Sequence, residues 1–173
     1  MLDTLTTLFQ PWADLYSASS WLPTVVIAVH VLTLFGGGGI AIAADRRVLR
    51  ATPGSSEAFL AMAEDLHSTH GVVIGSLVGM VVSGVAMATA DLGTFATSLV
   101  FWGKMACFAA LIVNGILMNR TETVLLTNAR NTIEMSVAGP EVTGPWAALR
   151  RHTWVSLVFW FAVVLLGVVV ANI

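Results

Sequence analysis

A single lysine, Lys104, lies inside the apolar stretch Ser98 to Met118, and a single imidazole, His30, lies inside another, Trp21 to Ala44. A charge at the centre of a membrane helix costs about 2.5 to 3.5 kcal/mol on insertion scales, so a residue placed there is a candidate for function. The other three histidines stand where apolar stretches begin: His67 and His70 ahead of Gly71 to Ala90, and His152 ahead of Thr153 to Ile173. At about 1.5 Å of rise per residue, His30 lies roughly 22 Å from Asp45 and Lys104 roughly 24 Å from Arg120, which sets them at one level. Ser83, Gly84, Leu166 and Gly167 fall near that level by the same counting.

Neutral imidazole binds haem iron, copper or zinc, and two imidazoles from different helices commonly hold a b-type haem in a helical bundle. His30 is thus a candidate axial ligand in one layer, with Lys104 beside it to pair with a propionate or to handle protons or substrate. His70 and His152 are candidate ligands of a second haem, with His67 as the substitute. One iron cannot take both His30 and His70, because their levels differ by about 15 Å or more while axial nitrogens stand only ~4 Å apart. Glu64, His67, His70 and His152 offer an alternative small-ion site. Copper is the alternative metal, although Met80, Met87, Met105 and Met118 are scattered rather than arranged as a copper(I) conduit.

The elements that must position these residues are set by composition. With 57% hydrophobic and 10% charged residues, the chain cannot be wrapped into a small water-soluble domain, and the expected class is an all-α integral membrane protein. Each apolar stretch approaches the ~20 residues that a helix needs to cross a bilayer. One membrane domain over 1–173 follows, a four-transmembrane-helix bundle with spans at about 21–44, 67–90, 98–118 and 152–173. Segment 1–20 is expected as a short interfacial helix, because Leu2, Leu5, Leu8, Phe9, Trp12, Leu15 and Tyr16 recur at helical spacing, with an interruption or restart at Pro11. It contains Asp3 and Asp14 but no basic residue and lacks the pattern of a secretory signal. The lone Cys107 lies within the third span and excludes an intrachain disulfide or a thiolate cluster.

Every basic residue except Lys104 falls in one of two loops: Arg46, Arg47 and Arg50 after the first span, and Arg120, Arg130, Arg150 and Arg151 between the third and fourth. The positive-inside rule makes both loops cytoplasmic and both termini external, with a bacterial-type inner (cytoplasmic) membrane as the expected location. Ser55 or Ser56 is expected to cap a helix that starts at Glu57 and continues into the second span. Gly139, Pro140, Gly144 and Pro145 are expected to break the loop from Thr121 to Arg151. Gly71, Gly75, Gly79 and Ser83 form a ridge of small residues for helix contact or for a flat cofactor, and Gly36 to Gly39 invite the same readings together with a kink.

The segment His30-Val-Leu-Thr-Leu-Phe-Gly, the following Asp45-Arg46-Arg47 and the early third-span Phe101-Trp102-Gly103-Lys104-Met105 resemble the broad superfamily that contains HemJ-type protoporphyrinogen oxidases and CopD-type copper-resistance domains. The resemblance implies a haem b site with His30 and Lys104 as the equivalents of the histidine and lysine of HemJ-type proteins. The expected function is membrane-bound haem binding with electron transfer or redox chemistry. Quinone or other redox subunits are the expected partners besides the lipid bilayer, within a homo- or hetero-oligomer, and no nucleic acid is involved. A copper-handling or transport protein and a structural accessory subunit are the alternatives.

Overall fold

The computed structural model describes residues 2–51, 56–135 and 143–172, with the side chains at 56–60, 63, 67, 129–135 and 143–144 excepted, and every element among the described residues is helical. The helices are α1 (Leu2–Ala18), α2 (Leu22–Arg50), α3 (Ser56–Ala90), α4 (Leu92–Thr97), α5 (Leu99–Met135) and α6 (Thr143–Val170). Four of them contain stretches long and apolar enough to cross a membrane: Leu22–Arg50, Glu64–Ala90, Leu99–Asn128 and Pro145–Val170.

Their ends follow from local chemistry. Ser19 accepts a hydrogen bond from the Leu22 N–H at 3.2 Å, and Pro23 occupies the first turn of α2, where its missing N–H is not needed. Asp91 caps α4 through the Thr94 N–H at 3.3 Å, and Ser98 starts α5 by accepting from the Phe101 N–H at 3.2 Å. The connection between the second and third spans thus contains a six-residue helix of its own. The helix expected to lead into the second span is present as the first part of α3; of its two proposed caps, Ser56 is already its first residue and Ser55 lies outside the described residues.

Three expectations of broken helix are corrected. Helix α1 runs through Pro11 without interruption. Proline removes one hydrogen bond, which costs least where the freed carbonyl faces solvent or headgroups, and α1 has no buried residue. Helix α2 likewise runs unbroken through Gly36 to Gly39, because tertiary packing supplies what glycine's weak helix propensity lacks. Gly37 is pressed against Ser76 of α3, so that an added Cβ would overlap that side chain, and one added to Gly38 would stand 3.1 Å from the Trp160 ring of α6. Finally, α6 begins at Thr143, so Gly144 and Pro145 lie in its first turn, the one helical position where proline loses nothing. Gly139 and Pro140 lie outside the described residues.

The four long helices form a ring in which α2 packs on α3, α3 on α5, α5 on α6 and α6 on α2, every neighbour antiparallel. Helix α1 lies mainly against α3, where the Trp12 indole N–H donates to the Ala86 carbonyl at 2.9 Å. Two apolar clusters fill the ring. Ala44, Val48, Leu66, Leu125 and Leu149 form one at the arginine-bearing end, with Met62, Met118 and Trp146 packed on it. Met80, Phe108, Leu111, Trp160 and Val163 form the other, nearer the Asp91 end, with Leu34, Leu77 and Phe159 among those beside it. The outward faces carry Leu32, Phe35, Val82, Leu165 and many other exposed apolar side chains, a surface compatible with contact to lipid.

Candidate functional site: two polar layers within an apolar bundle

The first layer lies on the Asp91 side of the Trp160 cluster. His30 on α2 meets Ser83 on α3, Nδ1 to Oγ at 3.0 Å. Ser83 is buried, and its single hydroxyl proton is directed to the Gly79 carbonyl at 2.6 Å, one turn back on its own helix. Its oxygen is then placed to accept from Nδ1–H of His30, whose ring also donates to the Met80 carbonyl, and a proton on Nδ1 leaves the lone pair on Nε2, the form in which imidazole binds a metal or takes a proton. Gly84 follows, and a Cβ there would stand 3.4 Å from His30 Cε1. The close approach of α2 and α3 that makes this contact is continued by Gly79, where an added Cβ would collide with Thr33 at 2.6 Å.

Lys104 reaches this layer from α5. It crosses toward α6, where a Cβ on Gly167 would stand 3.5 Å from the ammonium, and it lies close enough to His30 for their charges to interact. No carboxylate among the described residues pairs with it. The structure thus brings together His30, Ser83, Gly84, Lys104 and Gly167, which a count of residues from the helix ends sets at one level.

The second layer separates the two apolar clusters. His152 of α6 shares its Nδ1 with Asn114 Oδ1 of α5 at 2.9 Å, while Asn114 Nδ2 donates to the His152 carbonyl at the same distance. One turn further along α6, Ser156 hydrogen-bonds Asp45 of α2, whose side chain is buried. Toward the arginine-bearing end, His70 Nε2 of α3 stands 3.7 Å from Glu122 Oε2 of α5. Glu122 is 1% exposed, and no hydrogen-bond donor among the described residues reaches either of its oxygens. Thr153, fully buried, returns its hydroxyl to the Leu149 carbonyl at 2.9 Å.

His70 and His152 therefore lie beside different residues of α5, Glu122 and Asn114, which stand two turns or about 12 Å apart along that helix. They also stand on α3 and α6, which face each other across the ring and are not neighbours. The His67 side chain lies outside the described residues, and among those described no group of three or more metal-ligating side chains gathers. Of the glycine ridge on α3, Gly79 and Ser83 serve helix contact, whereas Gly71 and Gly75 meet nothing within 4 Å.

Asp45, Asn114, Glu122 and Ser156 belong to the site and were not singled out by their chemistry. Asp45 reads in sequence as the start of a basic cluster, and Glu122 as part of a loop. The signal that identifies them is spacing: Leu111, Asn114, Met118, Glu122 and Leu125 recur at three- and four-residue intervals, as do Leu149, His152, Ser156, Trp160 and Val163. A polar residue within such a stripe faces the core with it.

No family model, no curated protein and no solved structure matches this chain.

Proposed function

We propose that this chain is an integral membrane protein that binds a b-type haem at the level of His30 and Lys104 and serves electron transfer. The reading rests on one observation: an imidazole whose Nδ1 is fixed by Ser83, with Lys104 at its side, in an otherwise apolar part of the bundle. The donor set fits one axial position. An outer partner on Nδ1 orients a ligating histidine and raises its basicity, and Ser83 occupies that place for His30. Bound there, a haem would supply one-electron chemistry whose potential depends on nearby charge and burial. The chain's own contributions would then be distinct: His30 would hold the iron through Nε2, Ser83 holds the ring, Lys104 would offer a cation to a propionate, and the Trp160 cluster excludes water from one side.

No second imidazole belongs to this layer, so the reading gives the iron one protein ligand. His70 and His152 are left out of it, since they stand on helices that are not neighbours, one beside Glu122 and the other bonded to Asn114. With the arginine-bearing end in the cytoplasm, the redox layer lies in the outer half of a bacterial-type inner membrane, within reach of quinone or a partner subunit.

The test is the absorption spectrum of the purified full-length protein, expressed with ample haem precursor, together with haem and metal analysis. Reduced b-type bands are expected in the wild type. His30→Ala should abolish or alter them, and Lys104→Met should keep the haem while shifting its potential. A protein that contains no haem, or a His30→Ala spectrum identical to wild type, defeats the proposal; stoichiometric copper without haem would favour the copper alternative.

A further inference from the structure

Glu122 is a carboxylate enclosed by the bundle with an imidazole beside it. Its side chain is 2% exposed, whereas that of His70, 3.7 Å away, is 28% exposed. One member of the pair therefore touches the exterior and the other does not. A static ion pair in this position contributes little to stability, because desolvation of two charges offsets their attraction. The same geometry suits proton uptake, since an imidazole at the rim can take a proton from water and hand it inward to a carboxylate.

We propose that His70 and Glu122 form a proton-binding site, loaded from the arginine-bearing face. Unloaded, the pair consists of a carboxylate and a neutral imidazole. Loading adds one proton from bulk water to the imidazole, which passes it to the carboxylate, so that the pair's net charge rises from −1 to zero and the imidazole is ready for another. The charged and titratable side chains described around the pair are mostly engaged or turned outward. On α3, Asp65 is exposed and engaged with Arg47, and Glu64 is exposed. On α6, Arg150 and Arg151 are exposed and His152 is bonded to Asn114. On α5 itself, Arg120 is exposed, and across the ring Asp45 is bonded to Ser156 through one oxygen while Oδ2 has no hydrogen-bond partner among the described residues. A metal ion would need at least a third ligand, and none gathers here among the described residues. The proposal stands apart from haem binding and uses none of the residues assigned to it.

The full-length protein in lipid nanodiscs is titrated with pH while the infrared carbonyl stretch of protonated carboxyl groups is recorded. A carboxyl component that grows as pH falls is expected in the wild-type minus Glu122→Gln difference spectrum, and Asp45→Asn should retain it. His70→Gln should displace its midpoint by about one pH unit or more, the scale on which a neighbouring charge acts. A wild type whose carboxyl signal matches that of Glu122→Gln at every pH, or a midpoint of the difference component indifferent to His70→Gln, overturns the proposal. A midpoint that moves with sodium or zinc concentration does so too, by making the ligand a metal cation. Should Glu122→Gln fail to fold, His70→Gln, altered at the rim only, decides the question alone.

Discussion

Ser83 illustrates how much one hydroxyl can fix. By directing its proton to the Gly79 carbonyl it becomes an acceptor for His30 Nδ1–H, and so selects the tautomer. Ser83→Ala should therefore leave the fold intact while loosening the ring. If His30 is a haem ligand, affinity is expected to fall about 10- to 100-fold, the usual effect of losing such an outer partner. Haem titration of the apoprotein, read by absorbance, measures it, and unchanged affinity would show that His30 is oriented by other means. At this scale the sequence is most informative where a residue type is out of place. Lys104 and His30 stand out against apolar neighbours, whereas Asp45 and Glu122 are hidden by proximity to arginines and a polar segment. Which partner each finds depends on helix rotation, which periodicity constrains only loosely.

Among the elements, α2 depends on which glycine faces which neighbour. Gly37 and Gly38 are buried against Ser76 and Trp160, while Gly39 has no neighbour within 4 Å. Gly37→Ala forces α2 away from α3 and should destabilise the bundle by about 1 to 3 kcal/mol, the range for overpacking. Gly39→Ala meets nothing and should stabilise it by roughly 0.5 to 1 kcal/mol through helix propensity. Thermal unfolding in a single detergent compares them directly, and equal shifts in the same direction would contradict the packing. Helix existence is legible from apolar runs because a membrane-crossing length is a strong signal. Helix ends are not: α5 continues to Met135 and α6 begins at Thr143, since polar residues extend a helix beyond its apolar part without any change of backbone. Pro11 and the four glycines mislead for a related reason, because intrinsic propensity yields to a neighbouring helix or an exposed carbonyl.

For the molecule as a whole, the asymmetry of charge makes a direct prediction. If both arginine-bearing segments are cytoplasmic, as the positive-inside rule predicts, a cysteine placed at position 3 should react with an impermeant maleimide added to intact cells, and one at position 50 or 130 only after permeabilisation. A Cys107→Ser background removes the native thiol. The opposite pattern would invert the topology and move the His30 layer to the cytoplasmic half.

The Trp160 cluster has an electrical meaning as well as a mechanical one. It places Met80, Phe108, Leu111, Trp160 and Val163 between a layer that contains His30 and Lys104 and a layer that contains Asp45, His70, Glu122 and His152. Hydrocarbon of that kind is an insulator, and in an energised bilayer much of the voltage must fall across it. Moving one elementary charge through the full membrane potential involves about 2.3 kcal/mol per 100 mV. If the four helices span a membrane, any charge exchanged between the two layers would move through part of that drop, so the bundle would have the form of a capacitor with ionisable plates whose balance of charge responds to the membrane potential.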